Sequence, residues 1–157
     1  MCLISEEGHV VRELCWSAYF DYIWKSDTLQ LHQGGVMQLN CEYQKEGEIG
    51  VFRLSGEKSF EDAKATWEKI GLRIQGDHLK SVLMFDVSES KLKPLEVIEV
   101  AKNFERIKFP YAVKVAIVDP RPPSKSNNSF GETVAHNRMW QLISVFKDEV
   151  SARAWLD

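Results

Sequence analysis

Residues 79–118 contain two apolar runs, LKSVLMFDV (79–87) and YAVKVAIV (111–118), on either side of a segment with helical spacing that begins at Pro94. Near-continuous apolar runs are typical of strands that are covered on both faces, as in parallel sheets. Parallel neighbours need a long return connection, which a helix usually supplies. The alternation therefore predicts an α/β domain with a mostly parallel sheet, in which the second run is the best candidate for a central strand.

The flanking segments extend this pattern in both directions. Apolar and polar residues roughly alternate over 36–43, which is typical of a strand. KEGE is typical of a turn, and residues 49–54 would form a second strand, so we expect a β-hairpin. Ser59 and Asp62 have the spacing of a capping box, which predicts a helix that ends before Gly71. After the second apolar run we expect a loop over DPRPPSKSNN, a helix over 130–139, a strand over 141–146 and a last helix capped by Asp148. The predicted order is β-β-α-β-α-β-α-β-α, a mixed, mostly parallel sheet with an N-terminal hairpin and about four helices.

The first 35 residues differ from the rest of the chain. They are rich in aromatic side chains, show no regular period, end at Gly34-Gly35 and carry five acidic residues against two basic ones. We therefore expect an N-terminal extension at 1–35 and the α/β domain at 36–157. The extension is interpreted as a helix laid on the sheet, as a partner-binding arm, or as a stretch upstream of the natural start, since Met37 stands where the regular pattern begins.

Composition excludes several functional classes. The chain is 44% hydrophobic and 27% charged, and it has no apolar tract of about 18 residues, so we expect no membrane insertion. Acidic residues occupy the place of a secretory signal, which favours a cytoplasmic protein. The net charge of −3 lacks the basic excess of nucleic-acid-binding proteins. Three cysteines without a CxxC pair form neither a disulfide framework nor a zinc site, and we predict no metal and no cofactor.

A candidate ligand site lies after the two apolar strands, because open α/β sheets bind ligands beyond the carboxyl ends of their strands. Basic side chains and a following helix N-terminus would hold a small anionic or amphiphilic ligand there. The candidate residues are Ser88, Ser90, Asp119, Arg121, Lys125, Ser129 and Gly131. The alternative interpretation is a solvated loop that only connects a strand to a helix. His136 is isolated and the pair Glu61 and Asp62 fits helix capping, so we expect no catalytic residue and no enzyme.

Several segments together resemble a known superfamily. They are KVAIVDP (114–120), GETVAHNRMWQLISVFKDEVSARAWL (131–156) and VFRLSGEKSFED (51–62), which includes part of the opening hairpin. The chain resembles the SpoIIAA-like or STAS superfamily (sulfate transporter and anti-sigma-factor antagonist), in particular its small stand-alone bacterial members of unassigned function. The resemblance covers about residues 36–157 and implies the layered SpoIIAA-like fold.

The resemblance also implies a phosphorylation position. Antagonists of this family carry a phosphorylatable serine in an Asp-Ser-Ser-Gly motif, at the start of the helix after the third strand. In this chain the stretch reads FDVSESKLKPLEV, with Pro94, Leu95 and Glu96 at that place, and Ser88 and Ser90 come earlier, in the expected loop.

Two functions follow from the resemblance. The first is a non-catalytic binding or regulatory module that contacts another protein or a copy of itself. The alternative comes from Sec14-type domains, which share the general architecture and hold a hydrophobic or lipid-like ligand in a cavity between helices and sheet. A cavity of roughly several hundred Å³ beside Trp67, Phe104 and Trp140 would fit a ligand of that kind. If the interior is instead solid, with Trp67, Trp140 and Trp155 in the core, the protein can bind a partner only through its surface.

Overall fold

The computed structural model describes residues 28–30, 39–90 and 92–157, with the side chains of 28–30 excepted. The strands are β1 (Thr28–Gln30), β2 (Asn40–Glu46), β3 (Ile49–Ser55), β4 (Glu57–Lys58), β5 (Ser81–Asp86), β6 (Glu89–Ser90), β7 (Lys114–Val118) and β8 (Ile143–Phe146). The helices are α1 (Phe60–Gly76), α2 (Pro94–Arg106), α3 (Asn127–His136) and α4 (Glu149–Leu156), with a 3-10 turn at Pro123–Lys125. Apart from β1 and the two-residue strands β4 and β6, this is the order that the sequence predicts.

The main sheet is mixed and has the strand order β1-β2-β3-β5-β7-β8. The pairings of β1 with β2 and of β2 with β3 are antiparallel, whereas β3, β5, β7 and β8 pair in parallel. The hairpin turn is the two-residue loop Gly47-Glu48, and Gly47 has a φ of +62°, as the first turn residue of a type II′ hairpin requires. An α/β fold with an N-terminal hairpin and a parallel body is therefore confirmed.

Three predicted helix boundaries are wrong by several residues. The first helix passes Gly71 and ends at Gly76, because Gly71 is buried in the helix interior and a methyl group there would already touch Phe109 at 3.6 Å. The helix α3 begins at Asn127 instead of 130, since Ser126 acts as its N-cap and accepts a hydrogen bond from the backbone N–H of Ser129 at 3.3 Å. It also ends at His136 instead of 139, and Met139 already has a left-handed φ of +75°.

Helices cover both faces of the sheet unequally. The larger core lies on the face covered by α1, α2 and α3, and it includes buried side chains such as Phe52, Ile70, Met84, Phe104 and Ile117. On the opposite face, Val51, Leu83, Ala116 and Val118 pack against Ala152 and Leu156 of α4. The apolar runs are buried on both sides, as the sequence predicts for parallel strands.

The three predicted core tryptophans are buried to different degrees. Trp140 is 2% exposed, and its ring stacks on Tyr111 and meets the edge of Phe104. Trp67 and Trp155 are only half-buried, at the margins of the two cores. The core prediction is thus confirmed for Trp140 and is too strong for the other two.

Residues 28–30 belong to the sheet. They lie within the segment assigned to an extension, and they pair with Asn40–Glu42 of β2 as an antiparallel edge strand. The other interpretations of residues 1–35, and the predicted start of the hairpin at residues 36–38, lie outside the described residues. In the described part of the chain, none of the helices has the length and apolar character needed to span a bilayer.

Candidate functional site

Two aspartates end neighbouring parallel strands. Asp86 is the last residue of β5 and Asp119 follows β7, and the pairing of Phe85 with Val118 brings both to the same edge of the sheet. Both carboxylates are buried. Two buried carboxylates at one place require positive or hydrogen-bonding partners, because burial without them disfavours the charged forms.

Lys58 supplies the first positive charge. It ends β4, immediately before the N-cap of α1, and its Nζ lies 2.5 Å from Asp86 Oδ2. The other oxygen of Asp86 accepts from the backbone N–H of Ser88 at 3.0 Å and from the Ser88 hydroxyl. Ser88 is completely buried, so its hydroxyl serves the strand end and is not exposed to a modifying enzyme.

Arg121 supplies the second positive charge and links the two strand ends. Its Nε and Nη2 donate to the two oxygens of Asp119 at 2.7 and 2.8 Å, the bidentate geometry that suits a guanidinium. Its Nη1 donates to the carbonyl of Ser88 at 2.5 Å, and Nη2 also reaches the carbonyl of Asp86 at 3.1 Å. Arg121 therefore holds the loops after β5 and β7 together.

Residues at the start of α3 donate hydrogen bonds to both aspartates. The Asn128 side-chain amide donates to Asp86 Oδ2 and to Asp119 Oδ2, both at 2.9 Å. The Ser126 hydroxyl donates to Asp119 Oδ2 at 2.6 Å. We call this set the strand-end network; its members are Lys58, Asp86, Ser88, Asp119, Arg121, Ser126 and Asn128.

The strand-end network keeps both carboxylates charged at neutral pH. Burial alone would raise the pKa of Asp119, but hydrogen bonds from Arg121, Ser126 and Asn128 outweigh it and lower the pKa to about 2. Burial likewise opposes ionisation of Asp86, and the attraction of Lys58 with hydrogen bonds from Lys58, Ser88 and Asn128 lowers its pKa. Two anions are thus matched by two cations, an arrangement suited to holding structure rather than to transferring protons.

The structure brings three of the predicted site residues together in this network: Ser88, Asp119 and Arg121. Ser90 lies beside it and accepts from the Asn127 side chain at 2.9 Å. Lys125 is exposed in the 3-10 turn. The earlier helix start changes the predicted anion site, because the N–H of Ser129 already donates to Ser126 and Gly131 lies inside the helix, beside Val97.

Sequence reasoning missed four members of the network: Lys58, Asp86, Ser126 and Asn128. Lys58 stands between a strand and a helix cap, where a lysine is ordinarily solvated, and no local pattern marks it as buried. Asn128 belongs to the SKSNN segment that was expected to be a loop. The only usable signal was Ser126 with Ser129 at N-cap spacing, which would have moved the helix start back to Asn127.

An apolar pocket lies below the strand-end network, between α1, α2, α3 and the sheet. Its volume, measured for the centre of a water-sized sphere, is about 60 Å³. Trp67 and Phe104 line it, whereas Trp140 does not. This volume is well below the several hundred Å³ expected of a site for a lipid-sized ligand.

Three large apolar side chains are exposed around the same edge of the sheet. Val87 is 64% exposed after β5, Leu95 is 75% exposed in the first turn of α2, and Phe130 is 40% exposed in the first turn of α3. All three come after the carboxyl end of a parallel strand and lie close in sequence to network residues or at a helix start on the larger-core face, whereas Val150, which is 79% exposed, follows β8 on the opposite face. We call them the carboxyl-end patch.

Comparisons with known proteins add little to this description. No family model and no curated protein matches the chain. Among solved structures, the NMR structure of the protein TM1081 is similar with a TM-score of 0.40 and 12% identity, over 80% of this chain and 91% of that chain. Within the described residues, no group of three or more His, Cys, Asp and Glu side chains is placed to hold a metal ion.

Proposed function

We propose that this chain is a non-catalytic, STAS-like binding module, a cytoplasmic bacterial protein that acts by contacting another protein or a second copy of itself. The observation that carries the proposal is the carboxyl-end patch around a strand-end network whose charged groups pair with one another. A network of this kind fixes the positions of the surrounding loops and helix ends.

The internal pairing argues against a catalytic role for these polar groups. A general acid or base needs a pKa near the working pH, whereas the pKa values of Asp86 and Asp119 are lowered away from it. The Ser88 hydroxyl donates to a carboxylate that Lys58 already neutralises, and it is buried. Asp119 holds Arg121 on its two oxygens. These groups hold the edge of the sheet in one conformation.

The carboxyl-end patch supplies the contact surface. Single exposed apolar residues are common on protein surfaces, but several at one edge mark a place where another molecule binds. Leu95 and Phe130 flank the crossing of α2 and α3, where Gly131 lies beside Val97. Because these helices are anchored at their start by the Lys93–Glu96 cap and by Ser126, the patch is held rigidly, which lowers the entropic cost of binding.

The STAS-like assignment is supported by the arrangement of the elements. An antiparallel hairpin leads into three parallel strands, each followed by a helix, and the sheet is covered by helices on both faces. The helix α2 follows the strand that ends in Asp86, the place where antagonists of the STAS family carry their phosphorylated serine. Here Pro94 and Leu95 begin that helix, so we propose recognition through apolar contact rather than through a phosphate.

The test compares two variants of the full chain in its host. Leu95→Glu with Phe130→Glu introduces charges into the carboxyl-end patch, and Met139→Glu introduces one at the opposite end of α3, where Met139 is also strongly exposed. We expect the double variant to lose a stoichiometric complex or the dimer, measured by affinity purification and by sedimentation, while Met139→Glu retains it. The proposal would be contradicted if both variants formed the complex or dimer equally well. It would also be contradicted by an enzymatic activity that is lost when one residue of the strand-end network is replaced.

A further inference from the structure

The pocket between the helices and the sheet combines apolar walls with one charged end. Its walls include Ala63, Trp67, Met84, Val100, Ala101 and Phe104. Lys58 and Asn128 line it as well, so the strand-end network forms one end of the pocket. The pocket is therefore amphipathic, and Thr66, Asn127 and Glu132 are its other polar lining residues.

At this end of the pocket, the ammonium group of Lys58 has more N–H donors than acceptors. The residue is only 9% exposed, and among the described residues its ammonium has one hydrogen-bond partner, Asp86 Oδ2. An ammonium carries three N–H donors. Buried donors without acceptors are costly, so this end of the pocket favours a group that brings an oxygen acceptor.

The charge of the site favours a neutral acceptor. Lys58 is already neutralised by Asp86, and Arg121 by Asp119, so an added carboxylate would bring a third anion close to the two aspartates. Burial of a net charge is far more costly than burial of a hydrogen-bonded neutral group. A carbonyl or hydroxyl oxygen meets the donors of Lys58 without that cost.

The size of the pocket limits the rest of the ligand. The volume of about 60 Å³ is well below the roughly 300–1,000 Å³ of ordinary ligand pockets, so only a short ligand fits. The other polar lining residues, Thr66, Asn127 and Glu132, are already hydrogen-bonded within the protein, so ordered water would find few free partners there. We propose that the pocket binds a short neutral amphiphile, whose oxygen accepts a hydrogen bond from Lys58 and whose hydrocarbon part lies against Trp67 and Phe104.

The experiment is an NMR titration of the full chain with butan-1-ol, butyramide, butyrate and octan-1-ol at millimolar concentrations. We expect saturable amide shifts for the two short neutral compounds, concentrated at pocket residues such as Thr66, Met84 and Ala135. Butyrate should bind at least about tenfold more weakly because of its charge, and octanol should not saturate because it is too long. Absence of saturable shifts would mean that the pocket holds only water, which overturns the proposal.

Two variants separate the pocket from the protein surface. Ala101→Leu fills the pocket and leaves the strand-end network unchanged, while Ala154→Leu makes the same substitution at an exposed position of α4. We expect loss of binding in the first and unchanged binding in the second. If Ala101→Leu does not fold, Ala63→Val narrows the same pocket from α1, and Lys58→Met tests the polar end. Wild-type affinity in a folded pocket variant would overturn the proposal, whatever the outcome for protein partners.

Discussion

Lys58 and Asp86 form a buried ion pair between residues 28 positions apart in the sequence, with Nζ 2.5 Å from Oδ2. The pair joins the short strand before α1 to the end of β5. It thereby links the start of the first helix to the carboxyl-end edge of the sheet. Arg121 and Asn128 donate hydrogen bonds to Asp86 at the same edge. The three contacts to Asp86, from Lys58, Arg121 and Asn128, make this residue the centre of the strand-end network.

Breaking this pair should destabilise the protein strongly. Lys58→Met leaves Asp86 as a buried anion without its main partner, and such a loss costs about 3–5 kcal/mol. In the double variant Lys58→Met with Asp86→Asn, part of that loss should be recovered because no unpaired charge remains. The measurement is urea unfolding of the wild type, both single variants and the double variant.

Lys80→Met is the matched control for that experiment. Lys80 pairs with Glu48 at 2.8 Å, but both side chains are largely exposed, so the same substitution should cost about 0–1 kcal/mol. Equal effects of the two lysine substitutions would show that the buried pair does not hold the strand end.

The stability of the fold should fall in acid as Asp119 becomes protonated. Its pKa is lowered from an ordinary value of 3.8 to about 2 in the folded protein. A carboxylate with a lowered folded pKa stabilises the fold above the unfolded pKa, and this contribution disappears as the pH falls from about 4 to about 2. Asp86, whose pKa is also lowered, acts in the same direction.

Asp119→Asn should therefore reduce the slope of unfolding free energy against pH in that interval. Asp157→Asn, at the exposed end of the chain, provides the comparison. The slope is obtained from urea unfolding at several pH values between about 5 and 2. A slope that Asp119→Asn leaves unchanged would contradict the role assigned to its hydrogen bonds.

Two glycine substitutions should have opposite effects. Gly131 lies within α3, and a methyl group there would meet only Val97, at an ordinary contact distance of 3.7 Å. Gly131→Ala should thus raise the free energy of unfolding by about 0.5–1 kcal/mol, the difference in helix propensity.

Gly50→Ala is the counterpart, because its methyl group would lie 2.5 Å from Leu79 Cδ1 in the packed core. It should lower the free energy of unfolding by about 1–3 kcal/mol. Thermal unfolding of both variants checks the pair of predictions, and a destabilised Gly131→Ala would mean that α3 packs more tightly than the structure describes.

Removal of β1 should expose the edge of β2. Deletion of residues 1–35 removes the three residues that pair with Asn40–Glu42, whereas deletion of residues 1–27 retains them. We expect the longer deletion to be less stable than the shorter one by about 1–2 kcal/mol, as expected for the loss of one or two net backbone hydrogen bonds. Equal urea midpoints for the two deletions would show that β1 adds nothing to the sheet.

Local patterns were sufficient for most of the architecture. The apolar runs that contain β5 and β7, the helix that begins at Pro94 and the last helix capped by Asp148 all lie where the sequence predicts them. The capping box of Ser59 and Asp62 forms in full, with hydrogen bonds of 2.9 and 3.1 Å. Such signals depend on residues within one or two turns of each other, so they can be read from the chain itself. Helix boundaries were less predictable where packing decided them, as at Gly71.

The sequence by itself determined the class of the fold, because burial on both faces of parallel strands leaves a continuous apolar run that needs no other part of the chain to be recognised. Only the tertiary structure decided the site. Asp86 meets Lys58 from 28 positions earlier and Asn128 from 42 positions later. Those meetings depend on the register of β5 with β7 and on the placement of α1 and α3 over the sheet. Contacts between residues far apart in the sequence produce no periodic pattern in the residues around them. For that reason, the paired charges and the pocket beneath them could be identified only from the folded structure.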